Sequence, residues 1–115
     1  MEKYRVVFQL NEEDPLRINL VLSNIRNLIA DLGGENLEIE LVGYSNGVKI
    51  FLHSSEYAEI IDNLMFSGVK FAACANTLNA MGIKTGRLVK GVEVVSSGIG
   101  ELVRKQSQGW IYIRP

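Results

Sequence analysis

Short apolar runs separated by segments of helical periodicity recur along the whole chain, and that alternation restricts the fold more than any other feature. The first run, YRVVFQL at 4–10, is nearly continuous, the form of a strand buried on both faces of a parallel sheet. It breaks at NEEDP, where Asp14 suits an N-cap and Pro15 the first helical position. Leu16, Leu20, Val21, Ile25, Leu28, Ile29 and Leu32 follow at helical spacing, and Gly33-Gly34 closes the helix.

LEIELVG (37–43) alternates apolar and acidic residues, the pattern of a strand that is half exposed or near an edge. The segment from 44 opens on a turn signal, and GVKIFL within it fits a short helix or a strand equally well. Ser55 stands where an N-cap would serve a helix carrying Tyr57, Ile60, Ile61, Leu64 and Met65, closed by Gly68. VKFAA (69–73) is a third strand, 75–81 a short helix ended by Gly82, and VEVVS (92–96) a fourth strand. Ser97 or Gly98 opens a last helix through Leu102 and Val103 to about Gln108, and GWIYIRP (109–115) is a final strand. The alternation predicts one α/β domain over 1–115: a three-layer α/β/α arrangement with a five-stranded, mainly parallel sheet and helices on both faces. Right-handed crossovers are expected.

Composition narrows the function. The twelve basic residues are spread along the chain and the formal net charge is −1, which argues against a nucleic-acid surface, since that needs clustered Lys and Arg. No apolar run reaches the roughly 18 residues that a membrane span needs. The opening MEKYRVVFQL lacks a signal-peptide core, so a cytoplasmic protein is expected. Cys74 is the one cysteine and cannot form an internal disulfide, which fits a reducing compartment.

In open parallel sheets, sites lie outside the carboxyl ends of the strands. That rule selects the loops Asn11–Asp14, Gly43–Gly47, Cys74–Thr77 and Ser96–Gly100. Cys74 falls where the third strand hands over to a helix. There, unpaired amides and the helix dipole would stabilise a thiolate, the form that acts as nucleophile. The alternative is a small buried hydrophobe. Ser97, Gly98 and Gly100 form a second candidate, a turn whose amides could approach an anion. It matches neither the dinucleotide nor the phosphate-loop pattern, so a tight turn capped by serine is the plainer reading. His53, the lone histidine, is most simply a surface loop residue. One His and one Cys fall short of the four ligands of a structural zinc site, so no metal and no cofactor are expected. Trp110 and Tyr112 point to one side of the last strand, as core or subunit-interface residues.

YRVVFQL, GVKFAACANTLNAMGI and above all GVEVVSSGIGELVRKQSQGWIYIRP resemble the DsrE/DsrF-like family, specifically its small stand-alone, YchN-like branch. The likeness runs essentially end to end. It implies a three-layer fold on a five-stranded sheet and assembly as a homotrimer or homohexamer, or as a heterohexamer in the sulfur-relay branch. In the sulfur-relay branch a cysteine in the corresponding strand-to-helix loop carries sulfur as a persulfide between proteins, and carried over here that residue is Cys74. Sulfur-relay members place basic residues soon after that cysteine. Here Ala75, Asn76, Thr77 and Leu78 follow, and the first basic residue is Lys84.

Three functions follow as expectations. In the first, Cys74 is the persulfide-bearing thiol of a sulfur carrier, held by amides near Asn76 and Thr77, with a donor or acceptor protein as partner. In the second, the protein is an oligomeric binder of small anionic or nucleotide-like ligands at Ser97, Gly98 and Gly100. In the third, Cys74 is a redox sensor. Arg104, Lys105 or Arg114 of a neighbouring subunit could complete a pocket around Cys74.

Overall fold

The computed structural model describes residues 3–115. Five strands, β1 (Tyr4–Leu10), β2 (Leu37–Gly43), β3 (Lys70–Cys74), β4 (Glu93–Val95) and β5 (Ile111–Ile113), alternate with four helices, α1 (Pro15–Leu32), α2 (Ala58–Phe66), α3 (Ala75–Met81) and α4 (Gly98–Ser107). The strands lie in the order β4-β3-β2-β1-β5, and every neighbouring pair is parallel.

This order, combined with right-handed crossovers, sets the face on which each helix lies. The chain steps from β1 to β4 in one direction across the sheet, so right-handed crossovers put α1, α2 and α3 on one face. The step from β4 to β5 reverses to the far side of β1, and α4 falls on the other face. The core accordingly has two parts. Val6, Phe8, Leu10, Ile39, Leu41 and Phe71 pack with Ile18, Val21, Ile25, Ile61 and Leu78 of the first three helices. Val7, Val42 and Ala72 pack with Leu102 of α4, flanked by Tyr44, Val95 and Trp110.

Asp14 caps α1 as expected, its Oδ1 accepting from the Leu16 amide at 3.0 Å, with Pro15 in the first turn. The buried stripe of α1 is Ile18, Val21, Leu22 and Ile25, spaced i, i+3, i+4, i+7. Leu16 and Leu20, expected on that face, are instead 80 % and 45 % exposed. They sit a turn-angle away from the stripe that meets β1 and β2. β2 also differs from expectation. Its apolar–acidic alternation suggested an edge, yet β2 is the central strand of the five. Glu40 is only 1 % exposed, because α4 rather than water covers that side of the strand.

Of the two readings of GVKIFL the short helix holds: all but Leu52 lies in a 3₁₀ segment, Ser45–Phe51. Gly47 permits its close approach to β1: a Cβ there would lie 2.2 Å from the Leu10 carbonyl oxygen. Ser55 is not the N-cap of α2, which starts at Ala58 after Tyr57. Its Oγ accepts from the Tyr57 amide at 3.0 Å, closing the turn one step earlier. The last two strands are shorter than their sequence runs, 93–95 and 111–113. The third is shifted by one, so that Cys74 is the final residue of β3. Among the described residues, no helix is long and apolar enough to cross a membrane.

Candidate functional site

Cys74 ends β3 and stands as the N-cap residue of α3, with φ −71° and ψ 117°. Its neighbour across the sheet is β4, which ends beside it in the register Cys74–Val95. Two residues beyond Val95 the chain turns at Ser97 into α4. The first residue of α4, Gly98, therefore comes over the end of β3, although 24 positions separate it from Cys74 in the chain. The parallel pairing of β3 with β4 makes that encounter.

The thiol is 5 % exposed. It makes no capping hydrogen bond as a neutral group, but it is surrounded by donors suited to a thiolate. Burial pushes its pKa up. Against that act the Gly98 amide, the Thr77 hydroxyl and amide, and the Asn76 amide, and the balance holds Cys74 below the ordinary thiol value. The hydrogen-bond donors acting on the thiol are backbone amides and one hydroxyl, although no basic residue follows Cys74 before Lys84. Thr77 is itself held in place: its Oγ1 accepts from the Ser45 amide at 2.9 Å, which leaves the hydroxyl proton for the sulfur. Ser45 adopts φ 52°, an uncommon left-handed conformation for a residue other than glycine.

Ser97 caps α4, its Oγ accepting from the Gly100 amide at 3.0 Å. Both amides of interest in this turn thus have partners within the protein: that of Gly98 faces Cys74 and that of Gly100 is bonded to Ser97. Gly98 is glycine for a steric reason too. A Cβ would meet the Tyr44 Cβ at 2.9 Å and Cδ1 at 3.1 Å. Asn76, Thr77 and Gly98 are brought together at the sulfur, and Ser97 and Gly100 form the turn beside it.

The residues that sequence reasoning missed lie on the α4 side of the sheet. Gln9, buried at the end of β1, donates from Nε2 to the Tyr44 hydroxyl. Its Oε1 accepts from the Tyr112 hydroxyl. This chain links β5, β1 and the loop after β2, and it fixes the Tyr44 ring that packs against Gly98. Gln9 is the one polar side chain in the buried half of YRVVFQL, and that was the available signal. Trp110 and Tyr112 do share a side, as expected. Trp110 lies under Lys105, with Nζ 4.5 Å from the ring centroid.

His53 is exposed on a loop, its amide donating to the Arg87 carbonyl at 2.9 Å, and it is not among the groups acting on the thiol. A cleft of about 350 Å³ lined by Lys3, Leu37, Glu38, Lys70 and Trp110 lies at the amino ends of the strands, opposite Cys74. Among the described residues, no three His, Cys, Asp or Glu side chains converge to hold a metal ion.

A sequence profile of the DsrE/DsrF-like family matches residues 4–115. A protein of unknown function from Methanobacterium thermoautotrophicum is 50 % identical, with a TM-score of 0.95, covering 98 % of this chain and 100 % of its own. The YchN protein of E. coli superposes with a TM-score of 0.80 at 19 % identity, covering 100 % of both chains. A conserved protein of unknown function from Bacteroides thetaiotaomicron does so at 0.78 and 15 % identity, over 96 % of this chain and 94 % of that one. No curated protein matches.

Proposed function

The chain belongs to the DsrE/DsrF-like family, and on that premise we propose that it is a sulfur carrier whose Cys74 takes up sulfane sulfur as a persulfide. One observation carries this reading: the donors of Gly98, Thr77 and Asn76 converge on a single sulfur and lower its pKa despite burial. First-turn amides meet any residue at a helix N-cap, but the Gly98 amide from α4 and the Thr77 hydroxyl are additional donors of the kind a nucleophilic thiolate depends on.

In the loading step the Cys74 thiolate attacks the outer sulfur of a donor persulfide, R–S–SH. The new S–S bond forms as the donor's S–S bond breaks, and the donor leaves as its thiol with the proton. No oxidant is consumed. In the unloading step an acceptor thiolate attacks the outer sulfur of the Cys74 persulfide, and Cys74 departs as a thiolate. The same donors that activate Cys74 as nucleophile make it a good leaving group. With one cysteine in the chain, the acceptor is another protein or a small thiol. The slight exposure of the sulfur suits a slender persulfide better than a bulky reagent. We place the protein in the cytoplasm as a homotrimer or homohexamer, and exposed Leu16 and Leu20 support assembly.

The test is incubation with a small persulfide donor followed by mass analysis of the intact protein. A gain of one sulfur atom that Cys74→Ser lacks and that a thiol acceptor reverses is the expected result. A Cys74 that takes up no sulfur, while still alkylated in the native state, overturns the carrier role.

A further inference from the structure

The α4 side of the sheet carries a buried charged cluster that touches neither Cys74 nor the sulfur-transfer steps above. Glu40 lies in the middle of β2 at 1 % exposure, and its Oε1 has no hydrogen-bond donor among the described residues. The side chain it meets is Glu101 of α4, itself largely buried. Two ionised carboxylates are acceptors only, so they can bond to each other only while one retains a proton. Lys105 of α4 approaches the other Glu40 oxygen at 3.9 Å, and Arg104 pairs with Glu101 at 3.3 Å. From the strands, Lys70 on β3 is the register partner of Glu40, and Glu93 on β4 adds negative charge. On β1 the register partner is the apolar Val7.

α4 is the element that joins this cluster to Cys74. Its first residue places an amide on the sulfur. One turn further along, Glu101 and Leu102 seat the helix on the sheet. We infer that Glu40 and Glu101 share one proton at neutral pH, and that this shared proton fastens α4 to the sheet and thereby keeps the Gly98 amide on Cys74. Both carboxyl groups are positioning residues, acting through the helix. The inference deepens the carrier reading and rests on it for its purpose, since only a working thiolate gives the positioning a use.

The sign of the pH effect follows from linkage. Burial first, and then Glu101, push the Glu40 pKa up to about 8 from 4.5. Opening α4 would expose Glu40 to water and return it to its ordinary value. Between those limits the closed state holds a proton that the open state has lost. The closed-to-open ratio therefore falls about tenfold for each pH unit of rise. Above about pH 8 both states are deprotonated and the fall stops.

The experiment is hydrogen exchange of the α4 backbone amides in the full chain from pH 6 to pH 8, each rate corrected for its intrinsic pH dependence. α1, on the opposite face, is the internal reference. The expected result is a loss of α4 protection of about fiftyfold over those two units, because the closed-state carboxyl is already half deprotonated at pH 8, with α1 unchanged. Glu40→Gln, which stays neutral and can donate to Glu101, should flatten that dependence and leave the Cys74 alkylation profile intact. Glu40→Ala, which loses the contact, should raise the Cys74 pKa. Wild-type protection that is flat over the range, or a Glu40→Gln variant that falls as steeply as wild type, overturns the inference. If Glu40→Gln does not fold, Glu101→Gln carries the same comparison, and the wild-type profile decides alone if neither folds. No sulfur donor enters this measurement. A flat profile thus removes the proton pair and leaves the carrier reading standing, while failed sulfur loading leaves the α4 result in place.

Discussion

Replacing Thr77 with valine isolates one of the donors that lower the Cys74 pKa. The two side chains have nearly the same shape, so Thr77→Val removes the hydroxyl and keeps the packing of α3. In the native protein that hydroxyl accepts from the Ser45 amide at 2.9 Å and directs its proton to the sulfur. A hydrogen bond to a charged group contributes about 1.5–3 kcal/mol, and one pKa unit corresponds to about 1.4 kcal/mol. The Thr77, Asn76 and Gly98 amides remain, and the loss is partly offset by water. The expected rise in the Cys74 pKa is therefore about one unit, toward the thiol reference of about 8.5. The assay is the pH dependence of native-state alkylation by a small reagent, with Thr77→Ser as the control that should keep the wild-type midpoint. Stability should fall little, because Ser45 is exposed and water can satisfy its amide. An alkylation midpoint that moves by less than a few tenths of a unit would refute the reasoning, since the hydroxyl would then not be acting on the thiolate. The linkage sign gives an independent check. A thiol whose folded pKa is lowered adds stability as pH rises from its folded toward its unfolded value, and is neutral below both. Thr77→Val should shrink that rise.

Gly98→Ala should act on the same thiol by sterics: the new methyl would lie 2.9 Å from the Tyr44 Cβ. A cost of about 1–3 kcal/mol in chemical denaturation and a raised Cys74 pKa are expected together. Ser97→Ala removes the cap that holds the Gly100 amide at 3.0 Å. It should lower stability by about 1 kcal/mol, read as a shift of the denaturation midpoint without a change in slope. If the proposed trimer or hexamer forms through the α1 surface, Leu16→Glu with Leu20→Glu, at positions 80 % and 45 % exposed, should leave the fold intact by circular dichroism and lower the sedimenting mass. An unchanged assembly mass would place the subunit contact elsewhere.

The local parts of this protein were legible in its sequence. Asp14-Pro15 starts α1 and Gly33 ends it, because capping and φ preferences act within a turn of the residues that carry them. The continuous runs YRVVFQL and VKFAA marked strands buried on both faces, and five runs separated by helices implied a parallel sheet, since parallel neighbours need crossovers. Cys74 at the hand-over from β3 to α3 was equally visible, as was its company with Asn76 and Thr77 on the same turn.

Only the tertiary structure decided the rest. The alternation in LEIELVG is the same whether Glu40 faces water or lies beneath Glu101 and Lys105, so the pattern could not place β2 at the centre. Leu16 and Leu20 satisfy helical spacing as well as Ile18 and Leu22 do, and the sheet chose the latter pair. The return of β5 to the far side of β1 left α4 alone on its face among the described helices. That return set the Gly98 amide over a sulfur 24 positions earlier in the chain. Periodicity and caps fix what a segment becomes, because their forces reach one turn. Which segments meet depends on burial summed over the whole sheet, and the lowered pKa of the Cys74 thiol is a product of that second, non-local choice.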